Sequence, residues 1–135
     1  MTLRGQCLCG AVAYEVARLD GAIEHCHCKT CRKAHASAFA STTRVARAHF
    51  QWRKGREKLT AYASSPGKIR WFCSVCGSHI VAERIAQPHV ILRVATLDDD
   101  PGDKPVMHIW TSHAVPWLNA ADDVPRYEAM PPKDG

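Results

Sequence analysis

The chain has 135 residues, 46% hydrophobic and 23% charged, with a formal net charge of +5. That is the balance of an ordinary globular protein of one domain, large enough to bury a core. No apolar run approaches the roughly 20 residues that a membrane-spanning helix needs. Met1–Gly10 has no apolar stretch of the kind that directs secretion, so a reducing cytoplasm is the expected compartment.

The elements read as short strands. Ala11 to Val16 alternates, with Val12, Tyr14 and Val16 on one face. A turn or two of helix is expected near Thr30 to His35, and Ala38 to Val45 is β-compatible. Phe50 and Trp52 alternate before the turn-like Lys54-Gly55, and Leu59 to Ala63 reads as a further strand. Ser64-Ser65-Pro66-Gly67 is a turn and Ile69 to Cys73 the strand leaving it. His79 to Glu83, Val90 to Leu97 and Val106 to Trp110 complete the set. Many short strands with Gly and Pro punctuation predict an all-β domain over residues 1–130, with a frayed tail from Pro131 to Gly135.

All seven cysteines fall in three clusters: Cys7 and Cys9; Cys26, Cys28 and Cys31; Cys73 and Cys76. Thiols one or two residues apart converge on one ion, as zinc sites require. The first and last pairs make four, enough to close a structural zinc site between an N-terminal and a central hairpin. A redox Cys-x-x-Cys is the competing reading for Cys73 and Cys76, but a strand-then-helix setting is not expected there. The middle trio leaves a coordination position open for water or a substrate thiol, the pattern of catalytic zinc. His35, four residues after Cys31, is the residue that would close that site instead. His25 and His27 read as packing or supporting residues.

Basic residues surround these motifs: Lys29, Arg32 and Lys33, then Arg44 and Arg47, then Arg53 to Lys58, then Lys68 and Arg70. Singly they read as solvated surface. Together they make a field that attracts an anionic substrate. No recognised nucleic-acid motif or unbroken basic run is present.

Cys7-x-Cys9-Gly10, Cys26-His27-Cys28-x-x-Cys31-Arg32-Lys33 and Phe72-Cys73-x-x-Cys76-Gly77-Ser78 form an ordered set. With Phe39, Phe50, Trp52, Gly55, the Ser64-Ser65-Pro66-Gly67 turn, His108-Ile109-Trp110, Pro116-Trp117 and Pro125-Arg126-Tyr127, it resembles the glutathione-dependent formaldehyde-activating enzymes, a family that includes the domain of centromere protein V. The resemblance spans nearly the whole chain. It implies a β-tent fold of several coiled antiparallel sheets around zinc. It assigns Cys7, Cys9, Cys73 and Cys76 to a structural zinc ion and Cys26, Cys28 and Cys31 to a catalytic one. The implied activity is that of a carbon–sulfur lyase run in the synthetic direction, joining glutathione and formaldehyde into S-hydroxymethylglutathione. Arg32, Lys33 or Arg70 are then the candidates to hold the carboxylates of glutathione. A non-catalytic zinc-binding interaction module is the alternative. His35-Ala36 departs from the pattern, since the family often carries a Ser-Gly-like pair there.

Overall fold

A computed structural model describes residues 2–118 and 124–132. The chain opens with a hairpin of β1 (Leu3–Gln6) and β2 (Ala13–Val16), and β5 (Phe50–Lys54) pairs with β2 to complete a three-stranded antiparallel sheet. Between β2 and β5 run β3 (Ile23–Cys26), the helix α1 (Lys29–His35) and β4 (Ala40–Ala46). A meander follows: β6 (Leu59–Ser65), β7 (Lys68–Cys73), β8 (His79–Arg84) and β9 (His89–Arg93). With β10 (Pro105–Ile109) these build a seven-stranded sheet in the order β10-β3-β4-β9-β8-β7-β6. Its pairs are antiparallel except β10 with β3, which is parallel.

The all-β reading holds, and the helix lies where the cysteine cluster placed it. Two strands, β1 and β3, were not anticipated. Residues 94–96 form a 3₁₀ turn, so β9 stops at Arg93 instead of running to Leu97. Of the expected frayed tail, residues 133–135 lie outside the described residues.

The main core lies between the two sheets. Val12, Tyr14 and Val16 from the small sheet meet Val45, Ile80, Val81, Val90 and Leu92 from the large one. Each fully buried aliphatic side chain contributes roughly 1.5–3 kcal/mol. In β2 the alternation puts Tyr14 and Val16 inside, whereas β8 buries Ile80, Val81 and Ala82 in succession. A run buried on both faces marks an interior strand covered on both sides. Cys7 and Cys73 belong to this core, at 3% and 0% exposure. A separate small cluster of Cys26, Cys31 and Ala40, joined by Cys28 and Ile109, sits near the β10 end of the large sheet.

Two glycines separate backbone conformation from space. Gly55 (φ +71°) and Gly67 (φ +76°) both adopt left-handed backbone. A Cβ on Gly55 would overlap the Ala11 carbonyl, whereas one on Gly67 would meet nothing within 4 Å. Gly67→Ala is therefore expected to cost only the left-handed strain, about 1–2 kcal/mol. Gly55→Ala must also push the loop before β2 away from β5. In urea denaturation it should lose at least twice as much stability as Gly67→Ala, and equal losses would refute the contact.

Candidate metal centres

The cysteines of the first and last pairs come together although they are 64 or more residues apart in sequence. Cys7 and Cys9 lie in the turn between β1 and β2. Cys73 ends β7, and Cys76 lies in the turn before β8. Their four Sγ atoms lie within 4.8 Å of one another. Cys7 Sγ is 3.7 Å from Cys9 Sγ, and Cys9 Sγ is 3.9 Å from Cys73 Sγ. Disulfide sulfurs stand at about 2 Å, so these are separate thiols. Zinc–sulfur bonds of about 2.3 Å in a tetrahedron separate the sulfurs by about 3.8 Å. The donor set therefore fits zinc in spacing as well as in softness.

Backbone amides turn toward these sulfurs. The Val12 N–H donates to Cys7 Sγ at 3.3 Å and the Val75 N–H to Cys73 Sγ at 3.4 Å. The turns are tied to each other by the Leu8 N–H, which donates to Ser78 Oγ at 3.0 Å. Ser78 Oγ also lies 3.2 Å from Cys76 Sγ, and its hydroxyl holds the Cys76 thiol down at about 5. Cys9 moves the other way. The Ala11 N–H favours its thiolate, but burial and the three neighbouring thiols push it up to about 11. Four thiols so close resist ionising together without a cation among them.

The middle trio is built by a strand end and a helix start. Cys26 ends β3, Cys28 caps α1 and Cys31 lies in its first turn. Their Sγ atoms also lie within 4.8 Å of one another, and among the described residues no fourth cysteine, histidine or carboxylate joins them. Cys28 Sγ accepts from the Cys31 N–H at 3.3 Å, which fixes the helix start. From β7, the buried Arg70 donates to Thr30 Oγ1 at 3.0 Å, and its Nη2 stands 3.8 Å from Cys31 Sγ. The Cys31 thiol is held down, to about 4, by its contact with Cys26, and further by Cys28, Arg93 and Arg70, against the effect of burial. Cys26 is pushed strongly upward, first by Cys31 and then by burial. The trio thus holds charge next to two guanidinium groups, which suits a thiolate set around a soft cation.

The trio opens into a cavity of about 540 Å³, within the size range of small-molecule sites. Its walls carry Lys29, Arg44, Lys68, Arg84 and Arg93 against the single carboxylate Glu24. Trp110, His113 and Ile91 add the aromatic and apolar surface. Trp110 has left-handed backbone (φ 59°), a strained conformation for a non-glycine residue.

The remaining candidates fall elsewhere. His35 turns from the trio to pack on His79, with ring centroids 4.8 Å apart. His25 in β3 and His27 just after it both pack around Phe39. There His27 Nε2 lies 2.8 Å from His108 Nδ1, and His25 Nδ1 lies 3.0 Å from Ser41 Oγ. Arg70 is committed to Thr30 and Cys31. Lys33 lines a different cavity, with Tyr62, Phe72 and His79, and Arg32 is absent from the wall beside the trio. Arg84, Arg93 and His113 are the residues that sequence reasoning missed. For Arg93 a signal existed: it interrupts the apolar run Val90-Ile91-Leu92 that marks a buried strand.

Residues 2–113 match the family described as glutathione-dependent formaldehyde-activating enzyme. The chain belongs to that family. A crystal structure of a Rhodobacter sphaeroides protein is similar, at 29% sequence identity and a TM-score of 0.64, covering 78% of this chain and 98% of that one. No curated protein matches. No helix among the described residues is long and apolar enough to cross a membrane. Within this formaldehyde-activating family chain, both cysteine clusters are arranged so that each could hold a metal ion.

His35-Ala36 ends α1, and the structure shows what a glycine at position 36 would do. Ala36 caps α1 in left-handed backbone (φ 50°, ψ 44°), and its N–H returns to the Arg32 carbonyl. That position favours glycine. Ala36→Gly is expected to stabilise the protein by about 1 kcal/mol, raising Tm by a few degrees. An unchanged or lower Tm would show that the alanine methyl makes a compensating contact.

Proposed function

We propose that the protein joins glutathione, or a thiol of similar charge, to formaldehyde or a related small aldehyde. The reading rests on family membership and on one observation above the rest: three convergent thiols open into a cationic cavity of substrate size. The reaction is an addition that needs no oxidant. The thiol sulfur bonds to the carbonyl carbon, the carbonyl π pair moves to oxygen, the thiol proton departs and the alkoxide gains a proton. The reverse direction is the carbon–sulfur lyase.

In this reading Cys7, Cys9, Cys73 and Cys76 hold a structural zinc ion, and Cys26, Cys28 and Cys31 hold a catalytic one. Zinc in the middle site would supply Lewis-acid chemistry that keeps a thiol deprotonated near neutral pH. The cavity cations Arg44, Lys68, Arg84 and Lys29 draw an anionic thiol inward. His113 lines the same cavity, and its Nδ1 accepts from the Lys29 N–H at 3.4 Å. From that position its imidazole is the candidate to deliver the proton to the alkoxide. Holding thiol and aldehyde together supplies most of the acceleration.

Metal analysis and turnover test the division of labour together. The reduced protein should hold two zinc ions per chain and convert glutathione and formaldehyde to S-hydroxymethylglutathione. Cys28→Ser should keep one ion and a Tm near that of the parent, and lose activity by at least about 100-fold. Cys73→Ser should instead unfold or melt far lower, because it opens both a zinc site and the main core. A Cys28→Ser protein that turns over normally would refute the catalytic role. One that unfolds would make the middle site structural.

A further inference from the structure

We propose that Arg93 anchors a carboxylate of the substrate thiol, so that the cavity selects anionic thiols over neutral ones. The inference rests on the reading above for the identity of the reacting thiol.

Arg93 ends β9 and is only 5% exposed, yet it lines the cavity onto which Cys26, Cys28 and Cys31 open. Its Nε and Nη2 are buried without a hydrogen-bond partner, and no carboxylate pairs with it among the described residues. A buried guanidinium left in that condition is costly, and it persists where a counter-charge is supplied. The thiolates of the trio supply part of that charge. They do not satisfy the fork of N–H donors, which matches a carboxylate in shape.

Neighbouring cations are less suited to the task. Arg70, equally buried, already bonds Thr30 and stands against Cys31. Arg44, Arg84 and Lys29 are exposed, where single charges are hydrated and worth little in binding, and the half-buried Lys68 offers a point charge in place of a planar fork. Formaldehyde is uncharged, so the anion must be carried by the thiol. A thiol that reaches from the trio to Arg93 spans one continuous cavity of about 540 Å³. The carboxylate contact thereby passes from Arg32, Lys33 and Arg70, the residues favoured by the sequence, to Arg93.

S-methylglutathione isolates this contact, because its sulfur is blocked while its carboxylates remain. By calorimetry, zinc-loaded protein should bind S-methylglutathione at least about tenfold more tightly than its diethyl ester. Arg93→Gln should abolish that preference, and Arg93→Lys should keep part of it. The ester comparison needs no variant, and the lysine variant serves if the glutamine one does not fold. Equal binding of acid and ester, or no binding of either, would overturn the proposal. So would an Arg93→Gln protein that loses zinc but still prefers the acid, since Arg93 would then be a counter-ion to the trio alone. If the Arg93-dependent preference is present but glutathione and formaldehyde are not turned over, the anchor stands and the proposed reaction falls.

Discussion

Four thiols from two distant hairpins meet at one point, and the mutual position of the sheets depends on that meeting. Cys7 and Cys73 are also core residues, packed with Val12, Ile80 and Val81. The cluster is therefore not an appendage to the hydrophobic core but one wall of it. Closing two turns over a separation of more than 60 residues carries an entropic cost that local strand pairing does not offset. The Leu8–Ser78 hydrogen bond and the amides aimed at sulfur help to orient the thiols. A soft cation bound there adds its binding free energy to folding.

From that fixed point the functional cavity is carried outward by strand pairing. β7 leads away from Cys73 and delivers Arg70 beneath α1, and β9, two strands across the same sheet, delivers Arg93. The cations arrive at the trio from β7 and β9, while the thiols come from β3, farther across the same sheet, and from α1. The two sets would each be unfavourable alone: clustered thiolates repel one another, and buried guanidiniums lose their water. Placed together they offset each other. The thiolates thus offset part of the cost of burying two arginines at 1% and 5% exposure, and they leave Nε and Nη2 of Arg93 unpaired.

The sequence was most legible where chemistry or alternation constrains spacing. Cysteine gaps located both thiol clusters, alternation located β2 and β5, and the Ser64-Ser65-Pro66-Gly67 turn located β7. β1 was missed because Leu-Arg-Gly-Gln has no alternation of its own and becomes a strand only by pairing with β2. Its Gly5 is needed because a Cβ there would overlap the Tyr14 ring. β3 was missed because Glu24 and His25 read as polar residues before a metal motif, not as a strand whose outward face holds a histidine group. Arg93 was passed over for a related reason. The strand read over Val90 to Leu97 runs through Arg93 without singling out its charge, and the tertiary fold shows that this charge is buried beside the cavity.

The departure at His35-Ala36 raised the question whether a histidine seals the middle site, and the local physics answers it for this conformation. A seven-residue helix is too short to hold itself together. Here the Cys28 cap fixes its start, Arg70 holds Thr30 in its first turn, and the left-handed Ala36 ends it. With both ends fixed, His35 projects beneath the helix toward His79. Burial, then the nearby Arg93, His79 and Arg70, hold its imidazole at about 3, so it stays neutral there. To reach the trio it would have to leave that stack. His35-Ala36 therefore sets how the helix ends, and the thiols face the cavity.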